Sequence, residues 1–228
     1  MKLILENRKS EVPGIESFIF KPSEPLKWKA GQFLHYVLHH RPTDDRGSDR
    51  WFTIAAAPSE GHVMITTRLA AAKGSSFKKG LADLKIGDAI EVSDLDGDFV
   101  VEDLAAEYVF IAGGIGITPI RSILKDLDQS GKKINATIFY ANRDQDIVYK
   151  DELEAFTKNN SGLKIHYIIS PEWIDVAKIK EFVLDIRKPL FYISGPEPMV
   201  EDLGNALKGV GVAADHLKQD WFPGYPAE

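Results

Sequence analysis

The chain has 228 residues, no cysteine and a formal charge of −6, with 44% hydrophobic and 27% charged residues. This ordinary globular composition leaves no means of building a disulfide framework, a cysteine-ligated iron–sulfur cluster or a thiol nucleophile. Twenty-eight basic against 34 acidic residues argue against nucleic-acid binding, and the lack of a ~20-residue apolar run or a signal-peptide h-region argues for a soluble, cytoplasmic protein.

Up to about residue 104, apolar residues come in short runs at 17–21, 32–39, 51–55, 62–68 and 88–92, separated by turn signals such as Val12-Pro13-Gly14 and Ser59-Glu60-Gly61. Closely spaced short strands predict an antiparallel sandwich or barrel. One helix is predicted at 76–84, with Gly74-Ser75 as its capping region. Beyond residue 104 the texture changes. Strands at 108–112, 136–141, 163–169, 190–193 and 216–222 alternate with helices at 118–127, 149–156, 176–186 and 198–207. That alternation predicts a five-stranded, doubly wound parallel sheet with ligands at its C-terminal strand ends. The expected domains are therefore 1–103 and 104–228.

The first strand of the second half runs into Ala112-Gly113-Gly114-Ile115-Gly116-Ile117-Thr118-Pro119. Glycines at Gly114 and Gly116 let backbone N–H groups approach a phosphate. Thr118 is a suitable N-cap and Pro119 a suitable first helical residue, so a helix N-terminus opens at this turn. Pro119 stands where the third glycine of a dinucleotide fingerprint would be, so the string reads either as a diphosphate loop or as a tight connection. A second turn, Ser194-Gly195-Pro196 followed by Met199, also ends a strand. Between them, Asn142-Arg143-Asp144 closes the second strand. An Arg there suits a ribose 2′-phosphate and an acid a free 2′-hydroxyl, so the signal is split. Arg143 tilts the expectation slightly toward NADPH over NADH.

With these strings in order, the chain resembles the ferredoxin–NADP reductase superfamily over nearly its whole length. Arg50-Trp51-Phe52-Thr53 is similar to the flavin motif Arg-x-Tyr-Ser/Thr, and 62–68 with Gly74-Ser75-Ser76 to the later barrel strands and diphosphate-facing helix. Gly113–Pro119 looks like the pyridine-nucleotide loop, 149–153 like the stretch after the second strand, and 194–199 like the nicotinamide-side motif. The resemblance implies an N-terminal Greek-key β-barrel for FAD and a C-terminal α/β domain for NAD(P)H, with hydride transfer to the flavin and onward electron transfer. The residues agree. Arg50 can neutralise a flavin phosphate, Thr53 can reach the polar edge of the flavin ring, and Thr66, Thr67 and Arg68 become ribityl and adenine-side neighbours.

Three departures follow. Phe52 replaces the usual Tyr, Ser194 stands where many members carry Cys, and the chain continues through Trp221, Phe222 and Tyr225 instead of stopping at a terminal Tyr. Phe222 or Tyr225 could cover the flavin, or Trp221 and Phe222 could be core. Thr53 and Ser194 are the candidate catalytic groups. The acceptor is expected to be separate: a ferredoxin- or flavodoxin-like carrier, a partner oxygenase or free flavin. Lys73, Lys78 and Lys79 near Arg68 suit either a solvated face or the docking of an acidic carrier. His35 and His39 share a strand face but have no complete ligand set, so no metal is expected. The alternative is a non-catalytic nucleotide-binding or electron-transfer subunit. Oligomeric state has no sequence signature here.

Overall fold

The computed structural model describes residues 1–40, 42–69 and 74–222. The N-terminal half forms one antiparallel sheet from β1 (Lys2–Val12), β2 (Ile15–Pro22), β3 (Phe33–Val37), β4 (Asp49–Thr53), β5 (Val63–Arg68) and β6 (Ala89–Asp96). Its order is β4-β3-β6-β1-β2-β5, curled into a half-barrel. Backbone bonds from Ile54 N–H to the Gln32 carbonyl and from Ala55 N–H to the Met64 carbonyl carry the chain from one edge toward the other. The concave face is filled by Leu3, Leu5, Phe18, Phe20, Leu34, Tyr36, Ile65 and Ile90. Helix α1 (Ser76–Asp83) plugs it with Phe77 and Leu81, both fully buried. Truncating Phe77 to Ala would cost about 3–5 kcal/mol by leaving a cavity there.

The C-terminal half is a parallel sheet, β11-β10-β7-β8-β9, from β7 (Glu107–Gly113), β8 (Asn135–Asn142), β9 (Leu163–Ile169), β10 (Leu190–Pro196) and β11 (Leu217–Phe222). The helices are α2 (Ile117–Gln129), α3 (Lys150–Asn159), α4 (Val176–Lys180) and α5 (Glu197–Gly209). Strand order reverses between β7 and β10, which puts Gly113 and Gly195-Pro196 at the topological switch point, where ligands bind in open α/β sheets. Tyr108 and Phe110 face the half-barrel side, in one apolar cluster with Phe99, Ile120 and the barrel core. Val109 and Ile111 face away, against Ile193, Val200 and Leu207. A core that continues across both halves ties them far more firmly than a polar contact would.

Three local expectations are corrected. Strand β1, missed in the sequence, is central in its sheet; Leu3 and Leu5 point inward, but the rest of the strand carries mainly exposed charged and polar groups. Helix α4 stops at Lys180 rather than 186, because Asp185 turns back to accept from Arg187 N–H at 3.2 Å and Leu184 is fully exposed. Helix α2 begins at Ile117 out of a 3-10 turn over Gly114–Gly116, so Gly116 is its N-cap and Pro119 its third residue. Thr118 is not the cap: its hydroxyl donates to the Ile115 carbonyl at 3.0 Å.

Candidate functional site

The two edges of the curled sheet, β4 and β5, meet at a seam that the bond from Ala55 N–H to the Met64 carbonyl starts to close. Arg50 Nη2 and Thr53 Oγ1 on β4, and Thr67 Oγ1 on β5, are buried without any hydrogen-bond partner. An unpaired buried polar group costs about 1–3 kcal/mol, so three of them along one seam describe a place for a polar ligand. Arg50 lies over the Phe77 ring at 5.5 Å, and its Nη1 donates to the Arg46 carbonyl at 2.6 Å and to that of Asp49. Phe52 is half-buried, 5.8 Å from the rings of both Tyr36 and Phe77. The exposed aromatic is Trp51 on the other strand face, tilted on His35 at 4.7 Å and 48% exposed.

Two expected contacts are spent elsewhere. Thr66 is bonded to Ser17 at 2.6 Å and to the Tyr149 hydroxyl, so it joins the barrel to the C-terminal half and does not line the seam. At the start of α1, Ser75 accepts from Lys78 N–H as N-cap, while Ser76 N–H donates to the Asp44 carboxylate at 2.7 Å. That backbone bond is the main reason the Asp44 carboxyl falls to about 2. The helix N-terminus thus already holds an anion, supplied by the chain itself. Gly74 precedes this turn, and Arg68 is exposed at the end of β5.

The glycine turn at 113–119 is built differently. A Cβ on Gly116 would lie 2.1 Å from the Ser194 carbonyl oxygen, and one on Gly113 2.7 Å from Met199 Sδ. Gly116 lets the turn pack on β10, and Gly113 lets it pack on Met199 of α5. Gly114 alone has a left-handed φ of +52° with nothing within 4 Å of a Cβ position, so its backbone is open to a ligand. The turn also lies against β5, which brings it to the seam. Thr118 and Pro119 are buried in the core, leaving only the backbone to face outward. Met199 likewise fills the space over Gly113 and Gly195.

Ser194 is fully buried and donates to Asp220 Oδ2 at 3.5 Å across the β10–β11 ladder. Burial, followed by the Asp98 charge, outweighs that bond and raises the Asp220 carboxyl to about 6. Sequence reasoning missed Asp220; an acid inside the last strand of a parallel sheet was the available signal. Asn142 is half-buried at the end of β8, and Arg143 beside it is exposed. The Asp144 carboxylate is engaged by Asp146 N–H at 2.9 Å. Trp221 is 46% exposed and pairs across to Gly195, so it is not a core residue. Phe222 ends β11 opposite Pro196; Lys73 and Tyr225 lie outside the described residues.

A second missed residue is Arg121, buried between the halves. It donates to Glu60, to Glu152 and to the Ala55 carbonyl. Burial works against its charge, but the bonds to Glu60 and Glu152 prevail and raise its pKa. Burial likewise pushes Glu60 up, and the Arg121 bond and charge more than offset this, leaving its carboxyl lowered.

Residues 110–204 match the oxidoreductase NAD-binding domain family. The chain is 31% identical over 209 residues to the phenol 2-monooxygenase reductase component DmpP of Pseudomonas sp. (strain CF600), covering 83% of this chain and 56% of that protein. It is 28% identical to the ferredoxin reductase component of 3-ketosteroid-9-alpha-monooxygenase from Mycobacterium tuberculosis, over 88% of this chain and 56% of the relative. The chain spans little more than half the length of these curated relatives. Among solved structures, the ferredoxin-NADP+ reductase of Plasmodium falciparum with 2′P-AMP shares the fold at a TM-score of 0.82 and 19% identity, covering 97% of this chain and 95% of that one. No helix among the described residues is long and apolar enough to cross a membrane.

Proposed function

We propose that the chain is a member of the ferredoxin–NADP reductase superfamily, whose fold it shares and whose NAD-binding domain its residues 110–204 match, and that it is a flavin-dependent oxidoreductase module passing electrons from NAD(P)H through FAD to a separate acceptor. The observation that carries this reading is the trio of unpartnered buried groups along the β4–β5 seam, with the open glycine turn lying against β5. When bound, FAD supplies the hydride-accepting ring and releases electrons singly or in pairs.

The chain's own part is to bind and orient. Arg50 Nη2 would neutralise the flavin diphosphate, with Gly74, Ser75 and Ser76 joining once Asp44 yields the Ser76 N–H. Thr53 and Thr67 would donate to the flavin's polar edge and ribityl chain. Phe52 and Trp51 bracket the same strand, Arg68 closes its far end, and Phe222 or Tyr225 is proposed to cover the ring. On the nucleotide side the backbone at Gly114 receives the diphosphate, while Gly116, Thr118 and Pro119 shape the turn. Gly195, Pro196 and Met199 form the nicotinamide-side wall. Asp220, whose carboxyl is raised to about 6 by burial, accepts from Ser194 Oγ at 3.5 Å and takes up a proton as pH falls below that value, giving the wall a titratable polar group. The working division is a flavin half over 1–103 and a nucleotide half over 104–228.

Two finer points belong to the same reading. Arg143, exposed at the end of β8 beside Asn142, tilts the reading slightly toward a 2′-phosphate, hence NADPH. The names of two relatives, both reductase components of monooxygenases, favour a partner oxygenase system as the acceptor. An acidic carrier protein docking at Arg68, Lys78 and Lys79 is consistent with it. The test is an anaerobic titration of the FAD-reconstituted protein with NADPH and with NADH. Bleaching of the flavin band supports the reading, and a protein that takes up no flavin would point to a nucleotide-binding subunit instead. Arg143→Ala should narrow the NADPH preference about tenfold, the worth of one charge-assisted bond.

A further inference from the structure

Arg121 contacts neither nucleotide in the reading above, yet each of its five N–H donors is engaged. Nε and Nη2 reach the Glu152 carboxylate at 2.9 Å each; Nη2 and Nη1 reach both oxygens of Glu60; Nη1 also donates to the Ala55 carbonyl at 3.0 Å. These partners lie on three separate elements. Ala55 follows Thr53 by two residues at the exit of β4, Glu60 sits in the 3-10 turn Pro58–Glu60, and Glu152 is in the first turn of α3. The next residue, Ser122, donates to the Ala56 carbonyl at 2.7 Å. The guanidinium also lies 5.5 Å from the ring of Tyr149, whose hydroxyl is bonded to Thr66 on β5. The chain just past β4, at Ala55-Ala56, and strand β5, at Thr66, are therefore both held from the C-terminal half. The helix that holds the first of these is the one that begins at the glycine turn.

We propose that Arg121 is a positioning residue that sets the distance and angle between the bound nicotinamide and the flavin, by locking the seam to α2. The inference rests on the reading of the seam and turn as FAD and NAD(P)H sites. A guanidinium suits the task because its planar fork fixes two carboxylates and a carbonyl in one plane, whereas a lysine is a point charge on a flexible stem. Hydride transfer depends steeply on placement, and about 1 Å of misplacement can cost about a hundredfold in rate.

The test uses the holoprotein and the absence of native cysteine, which makes spin labelling at exposed Glu24→Cys and Lys208→Cys unambiguous. Arg121→Lys keeps the charge and loses the fork. It should broaden the inter-label distance distribution and slow flavin reduction about ten- to a hundredfold, with FAD and NADP+ dissociation constants within about threefold of the parent. A second variant, Arg121→Met with Glu60→Gln and Glu152→Gln, leaves no unpaired buried charge and should show the same pair of effects. Unchanged rates and distances in either folded variant overturn the proposal. So does a rate loss accounted for by weaker nucleotide binding alone. If the parent protein's flavin is not reduced by either nucleotide, the preceding reading fails, and the label distances still report whether Arg121 fixes the two halves.

Discussion

The two halves of the candidate site solve the same problem with opposite materials. The β4–β5 seam offers side chains, with Arg50, Thr53 and Thr67 holding buried polar atoms that the protein leaves unpaired. The glycine turn offers backbone, with Thr118 and Pro119 turned into the core and Gly114 alone open. A side-chain site can be altered one group at a time with graded loss. A backbone site depends on close approach and fails abruptly when a single Cβ intrudes.

The sharpest test of that contrast lies inside the turn. Gly116→Ala would drive a Cβ to within 2.1 Å of the Ser194 carbonyl oxygen, a backbone atom that cannot swing aside. The expected result is a loss of about 3 kcal/mol in stability and of measurable NADP+ binding by calorimetry. Gly114→Ala meets nothing within 4 Å and should cost about 1–2 kcal/mol, the strain of a left-handed residue. Equal losses from the two substitutions would erase the distinction between packing and open glycines.

On the seam, Arg50→Ala removes one charge-assisted contact from a set. FAD affinity should fall about ten- to a hundredfold, the equivalent of about 1.5–3 kcal/mol, with NADP+ binding unaltered. Fluorescence titration of the apoprotein with FAD measures it. Retained FAD affinity would mean that the guanidinium serves the Arg46–Asp49 turn alone.

Asp220 couples the backbone wall to pH. Its folded pKa of about 6 exceeds the ordinary carboxylate value of about 3.9, so the native state binds more protons than the unfolded chain between those values. Stability therefore falls as pH rises through that window and levels off above it. Asp220→Asn removes the titration. Its stability relative to the parent should improve by about 2 kcal/mol between pH 4 and pH 7.5, read by urea unfolding at the two values. A constant difference would show that the carboxyl is not raised.

These expectations also show what was legible in the sequence. Strands of the parallel sheet are buried on both faces, so runs such as Tyr108–Ala112 announce themselves. Strand β1 does not, because it buries Leu3 and Leu5 and then exposes most of its remaining length. The glycine turn was readable as a turn. Its internal division of labour was not, because Gly116 answers to a carbonyl on β10, 78 positions away in the chain. The Asp44 carboxylate at the α1 N-terminus comes from another loop and has no local signal. Thr66 and Thr67 pose the plainest case: neighbours in a strand point to opposite faces, and only tertiary packing says which one borders the seam.

That last pair also yields the smallest and most discriminating effect. Thr67 Oγ1 has no partner, whereas Thr66 is bonded to Ser17 and Tyr149. Valine keeps the shape of threonine and removes the hydroxyl. Thr67→Val should therefore stabilise the apoprotein by about 1 kcal/mol, because a buried unsatisfied group disappears, while weakening FAD binding by a few-fold. Thr66→Val should instead destabilise apoprotein and holoprotein alike by about 1–2 kcal/mol, since it removes the hydroxyl bonded to buried Tyr149 across the interface, while Ser17 keeps its bond to Glu11. Thermal unfolding of both variants with and without FAD gives four numbers whose signs differ. If Thr67→Val loses stability without FAD, its hydroxyl already has a partner and the seam is not poised for a ligand at that position.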